Sequence, residues 1–163
     1  GGDMVFRELV RLPDGRLGTH FVPEMMPSQE ALRPTDGPLL EAEQGVYLTA
    51  RIDPDPDGAV TVIRFLGNVP GEPALSLRLD SGSGSVNISE GSEVLAQIEL
   101  VDDLDRGTDV TVVLCRDIID VCVGGTRTLI ARHRLGPRSA IEAEAGDRAA
   151  AVDWMAAPLP VDG

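Results

Sequence analysis

The tightest constraint on this chain is the recurrence of short, β-branched runs cut apart by turn-forming residues. Nine of them read as strands: MVFRELVR (4–11), VYLTARI (46–52), AVTVIRF (59–65), ALSLRLD (74–80), SVNIS (85–89), VLAQIEL (94–100), DVTVVL (109–114), DIIDVCV (117–123) and TRTLIAR (126–132). Each has strand length, and several alternate apolar and polar residues, as a strand with one buried face must. PDG, DPDPDG, GNVPGEP, DSGSG and VGG separate them, and these residues turn a chain because they tolerate the dihedrals a turn needs. The pattern predicts an all-β, antiparallel two-sheet β-sandwich.

Two stretches also carry helical features. SEVLAQIELVDDL has some 3.6-residue periodicity, yet Val94, Ala96, Ile98 and Leu100 alternate, and it is read as a strand. EAEAGDRAAAVDWM (142–155) is left open, because alanine favours helix while Gly146 interrupts it and its edges look like strands. The punctuated stretch MPSQEALRPTDGPLLEAEQG (26–45) is expected to wrap the surface. With no internal repeat and a length of 163 residues, one domain over 1–163 is expected.

Twenty-seven acids against fourteen bases give a formal charge of −13, which repels phosphate backbones and anionic lipid surfaces. Nucleic acid and membrane are therefore not expected as partners. No run approaches the roughly 20 apolar residues that span a bilayer, and the first residues lack the pattern of a signal peptide, although removal of an upstream leader stays open. Every base is arginine. That bias reads as a GC-rich coding sequence, with haloadaptation as the other reading.

The acids and thiols of CRDIIDVCVGGTRTLIARHR (115–134) suggest an active site at first sight. In a helix Asp117 and Asp120 would share a face, but DIID is rich in β-branched residues and precedes a glycine pair, so it reads as a strand that points them apart. One acid is expected at the strand start near a turn, the other paired with an arginine on a neighbouring strand. If the chain turns at Arg116 and Asp117, Cys115 lies opposite Ile118 and Cys122 opposite Thr111, which disfavours a disulfide. The two cysteines are too few for a zinc site.

DPDPDG (53–58) copies the opening of a calcium loop, but the position that should supply a bidentate glutamate is Arg64, and the flanks are strand-like. It reads as a hairpin loop ending in Asp57-Gly58. His20 and His133 are isolated in sequence, and SGSGS (81–85) opens no helix, so it reads as a turn rather than a phosphate cradle. No catalytic, metal or cofactor-binding residue is expected, and no cofactor.

Two segments carry a resemblance to a known family. VFRELVRLPDGRLGTHFVPEM (5–25) has a strand with an Arg-Glu-Leu core, an Asp-Gly turn and a second strand; VTVVLCRDIIDVCVGGTRTLIARH (110–133) has an apolar strand, an acidic turn, an acid-hydrophobic strand and an arginine-bearing strand. Together with the closing DWMAAPL (153–159), they resemble the C-terminal β-sandwich module of glycoside hydrolase family 32, the invertase, levanase and inulinase family, over about residues 5–159. The sequence departs from the family at Asp120 and Cys122, where Glu and Phe are usual.

The resemblance implies a jelly-roll or concanavalin-like sandwich and a parent enzyme that hydrolyses β-fructofuranosidic bonds in sucrose or fructans. It also implies an N-terminal catalytic propeller as partner. The family's catalytic segments, W-M-N-D-P-N-G, R-D-P and E-C, do not occur in this chain, so no catalytic residue is carried over. The implied role is domain packing, stability or an oligomer contact. The alternative is a free-standing carbohydrate-binding module, which would need exposed aromatic platforms. Tyr47 and Trp154 are the candidates, Trp154 reading better as a core residue. Met4, Phe6, Phe21, Met25 and Met26 are the candidate domain interface, set against the reading that they close the sandwich's own core.

Overall fold

The computed structural model describes residues 6–34, 45–52, 60–66, 75–99, 107–115, 117–133, 140–145 and 152–158, without the side chains of Met25, Pro34, Leu66, 140–145, 152–154 and 158. The chain forms β1 (Arg7–Arg11), β2 (Leu17–Phe21), a 3-10 turn (Pro23–Met25), β3 (Arg33–Pro34), β4 (Val46–Ile52), β5 (Val60–Leu66), β6 (Leu75–Asp80), β7 (Ser85–Glu90) and β8 (Glu93–Glu99). There follow β9 (Thr108–Cys115), β10 (Ile118–Val123), β11 (Arg127–Arg132), β12 (Ala140–Ala145) and β13 (Val152–Pro158). The ambiguous stretch around Gly146 thus holds the end of one strand and the start of another. DPDPDG lies outside the described residues.

The strands make two antiparallel sheets, one of six in the order β11-β10-β9-β4-β13-β3 and one of five in the order β12-β5-β6-β7-β8. The architecture is the expected two-sheet β-sandwich. Alternation builds its core: Leu48 and Ile52 of β4, Val110, Val112 and Leu114 of β9, and Ile119, Val121 and Val123 of β10 meet Ile63, Phe65, Leu75, Leu77, Leu79, Val86 and Ile88 of the other sheet. Gly124 and Gly125 close the β10–β11 hairpin at φ of 60° and 69°, where a Cβ would be strained.

The alternation expected for β8 holds for Ala96 and Ile98 but fails at Val94. Ala96 pairs with Ile88 and the next partners are Val94 and Ser89, so Leu95 is an extra residue in the strand. Such a bulge reverses the parity of everything beyond it. Leu95 packs against the core instead, and Val94 is 55% exposed.

The third unit is the hairpin β1–β2, which pairs with neither large sheet as a strand. It is closed by the expected Pro-Asp-Gly turn, with Gly15 at φ 86°. The hairpin covers part of the outer face of the six-stranded sheet, over β10 and β11. β9 and β10 are consequently buried on both faces.

Leu77→Ala, in the fully buried centre of the five-stranded sheet, is expected to cost about 3 kcal/mol in denaturant unfolding. Val94→Ala is expected to stay within about 0.5 kcal/mol of the parent. An equal loss for both would contradict the bulge.

Candidate functional site

The feature that stands apart from an ordinary sandwich is the seam between the hairpin and the outer face of the six-stranded sheet. On this face β10 presents Asp120 and Cys122, with Ile119, Val121 and Val123 turned to the core. Asp120 pairs with Ile130 and Val113, and Cys122 with Thr128 and Thr111. The hairpin supplies Arg7, whose Nη2 donates to Asp120 Oδ1 and whose Nη1 donates to Thr128 Oγ1 at 2.7 Å. The Thr128 hydroxyl also shares a 2.7 Å hydrogen bond with that of Thr19 on β2.

Backbone contacts complete the seam. The Thr19 amide donates to the Thr126 carbonyl at 2.9 Å, Arg127 Nη1 donates to the Leu17 carbonyl at 3.0 Å, and Cys122 Sγ lies 3.8 Å from the Thr19 carbonyl. Gly18 permits this approach, since a Cβ there would stand 2.9 Å from Thr126 Cβ and 3.0 Å from its carbonyl oxygen. Further along, Phe21 packs with Val113, Cys115 and Cys122, and Met26 and Tyr47 border the group.

Asp120 is wholly removed from solvent, and burial raises its carboxyl above the usual aspartate value even though Arg7 beside it lowers it. Its Oδ2 accepts no hydrogen bond among the described residues. A carboxylate so placed depends on its one cation. Burial likewise pushes the Cys122 thiol up to about 11, so it is no nucleophile while the seam is closed. Burial also raises the Tyr47 phenol, despite its hydrogen bond to Thr111.

The two acids are separated as the strand reading expects. Asp117 sits in the turn before β10, more than half exposed, with Arg132 Nη1 at 3.4 Å. Asp120 pairs with Arg7 under the hairpin. Both cysteines are buried and neither forms a disulfide, and their cross-strand partners are Ile118 and Thr111. His20 meets Glu8 at 3.0 Å on the hairpin. His133 is buried, and burial holds its imidazole below the usual value. SGSGS is a turn on which the Ser83 amide donates to Asp80 Oδ1. Among the described residues no group of three or more His, Cys, Asp and Glu side chains is placed to hold a metal, and no helix is long and apolar enough to cross a membrane.

Of the five candidate interface residues, Phe6 is 53% exposed, Phe21 is buried under the hairpin and Met26 is half-buried beside it. Met4 and the Met25 side chain lie outside the described residues. The hairpin exposes two further apolar residues that the sequence reading passed over, Leu9 at 70% and Leu17 at 59%, and Ile130 of β11 is 54% exposed. Leu9 sits inside the quoted Arg-Glu-Leu core, but nothing local to that motif distinguishes an exposed leucine from a buried one. Tyr47 is half-buried at the edge of the Phe21 cluster and offers no open platform. The Trp154 side chain is not described.

The fold and seam define an antiparallel β-sandwich with a capping hairpin. No family model and no curated protein sequence matches the chain. Solved structures do match in fold. Sucrose-6-phosphate hydrolase from Lactobacillus gasseri aligns with a TM-score of 0.66 and 13% identity over 94% of this chain and 33% of its own. Exo-inulinase from Aspergillus awamori aligns at 0.68 and 9% over 96% of this chain and 35% of its own. The GH32 β-fructofuranosidase of Bombyx mori aligns at 0.66 and 14% over 96% and 32%. The resemblance to glycoside hydrolase family 32 therefore holds at the level of the fold, and the chain spans about a third of the length of the structures it matches.

Arg7→Ala is expected to destabilise the chain by roughly 3 kcal/mol in denaturant, because it strands a buried carboxylate. Asp120→Asn should cost less, since an amide needs no counter-ion. His133 supplies a pH dependence. The unfolded chain protonates it near the usual 6.5, whereas the folded chain resists until the pH is lower. Its contribution is therefore complete above 6.5 and is lost as the pH falls through the lowered value. His133→Gln should flatten the melting temperature against pH in that window, and an unchanged slope would contradict the assignment.

Proposed function

We propose that the chain is a non-catalytic β-sandwich module of a glycoside hydrolase family 32-like enzyme, serving domain packing, stability or an oligomer contact. The observation that carries this reading is the coverage of the fold matches: nearly all of this chain against about a third of each enzyme. Residues 1–163 act as one domain. The missing partner is an N-terminal catalytic propeller, whose paired carboxylates would carry out retaining hydrolysis of β-fructofuranosidic bonds in sucrose or fructans. The absence of the family's three catalytic segments from this chain supports the division of labour.

The hairpin is the part that meets the propeller. Phe6, Leu9 and Leu17 are apolar side chains exposed on one small unit, and such a group marks an interaction surface rather than a core. Met4 and Met25 belong to the same contact. Phe21 and Met26 lie beneath it, and they anchor the hairpin to the sandwich.

The purified chain is expected to release no fructose from sucrose, inulin or levan, and release above a buffer blank would overturn the reading. Titration calorimetry with inulin and levan should show no saturable heat, whereas saturable binding would favour the free-standing carbohydrate-binding module. The coding sequence upstream of Gly1 should contain a W-M-N-D-P-N-G-like segment. Fused to that segment's domain, the Leu9→Ser, Leu17→Ser variant should melt lower than the unsubstituted fusion, while the same pair of changes in the isolated chain should be nearly neutral.

A further inference from the structure

We infer that the β1–β2 hairpin is a strap that opens as a unit while the sandwich stays folded, with Arg7, Asp120, Thr19 and Thr128 as the catch that holds it closed over Cys122. Three observations lead there. First, the hairpin is joined to the large sheets by side-chain and single backbone hydrogen bonds, not by a strand ladder. A two-stranded hairpin has little stability of its own, so its seating depends on those bonds and on Phe21.

Second, the apolar residues Phe6, Leu9 and Leu17 are already more than half exposed, so lifting the hairpin uncovers little more of them. The apolar loss on opening falls chiefly on the small cluster around Phe21. Third, the main core lies on the opposite face of the six-stranded sheet. Lifting the strap leaves that core closed. These are the conditions for an opening below the free energy of global unfolding.

The catch is matched in shape and charge. Arg7 reaches Asp120 and Thr128 together, and Thr128 in turn meets Thr19 on the other strand of the hairpin. One sheet hydroxyl is therefore tied to both strands of the strap. Cys122, 3% exposed and in contact with the Thr19 carbonyl, is the natural reporter, because it is covered only while the strap is closed. The inference does not depend on the partner proposed above. If that partner exists, it holds the strap from the outside, and docking and closure share one element.

The test is native-state thiol labelling of the full chain with a maleimide, with Cys115 and Cys122 separated by peptide mass spectrometry, alongside amide hydrogen exchange at Val112 and Val121. In the unsubstituted chain, Cys122 labelling should depend weakly on low denaturant, while exchange at Val112 and Val121 follows global unfolding. Arg7→Ala should speed Cys122 labelling by about tenfold or more with the sandwich amides still protected. Arg51→Ala, which removes the exposed pair with Asp109, should leave labelling unchanged. Should Arg7→Ala fail to fold, Thr128→Val and the denaturant dependence of the unsubstituted chain decide the matter. Cys122 labelling that tracks the Val121 amide across denaturant, or an Arg7→Ala chain that labels Cys122 no faster than the unsubstituted one, would overturn the strap.

Discussion

A carboxylate with no solvent exposure, set in a strand buried on both faces, depends on a cation brought within reach of it. Asp120 is that group, and Arg7 is the side chain that meets it. The desolvation of the pair offsets much of its attraction, so it contributes little net stability when complete. Its consequence is asymmetric. Removing the cation leaves a buried charge whose second oxygen already accepts no hydrogen bond among the described residues. The interaction therefore works chiefly as a condition on geometry: the first strand must lie where its arginine reaches β10.

From that condition follows the layering of the molecule. Between the two sheets the core is apolar and is held by area, which is indifferent to small shifts. Across the outer face of the six-stranded sheet the contact is apolar around Phe21 but polar around Arg7 and Thr19, and polar contacts are directional. Gly18 lets the backbone of β2 come close to Thr126, and Thr128 connects Arg7 with Thr19. The hairpin is thus placed by a few directional contacts rather than by a strand ladder, in contrast to the strands beneath it.

How much of this could be read from the sequence depended on whether the signal was local. Strand periodicity is local, and the runs beginning at Val46, Ala59 and Ala74 became β4, β5 and β6 with boundaries shifted by no more than a residue. The pairing of Cys115 with Ile118 and of Cys122 with Thr111 followed from the turn at Asp117 alone. The near-continuous apolar runs of β9 and β10 also carried a sign of two-faced burial. The β8 bulge was not legible, because Leu95 and Val94 exchange places through one inserted residue that no hydrophobic pattern marks. Nor was the seam: an arginine partner for one of the two acids was expected on a neighbouring strand, but Arg7 lies 113 residues from Asp120 and outside either large sheet.

The exposed leucines of the hairpin bear on why such a unit is retained. Single apolar side chains on a surface are ordinary, but Leu9 and Leu17 occupy two five-residue strands whose arginine and threonine are committed to the sheet below. If the hairpin served only to cover β10, replacing both leucines, each more than half exposed, by polar residues would lose little buried area and would improve solubility. The net charge of −13 offsets the tendency of such a surface to associate without specificity. Strand alternation puts Leu9 and Leu17 on the same hairpin face as Arg7, Thr19 and Phe21, so one face carries both the seat on the sheet and apolar surface left uncovered beside it, and that combination suits a segment lying between two bodies.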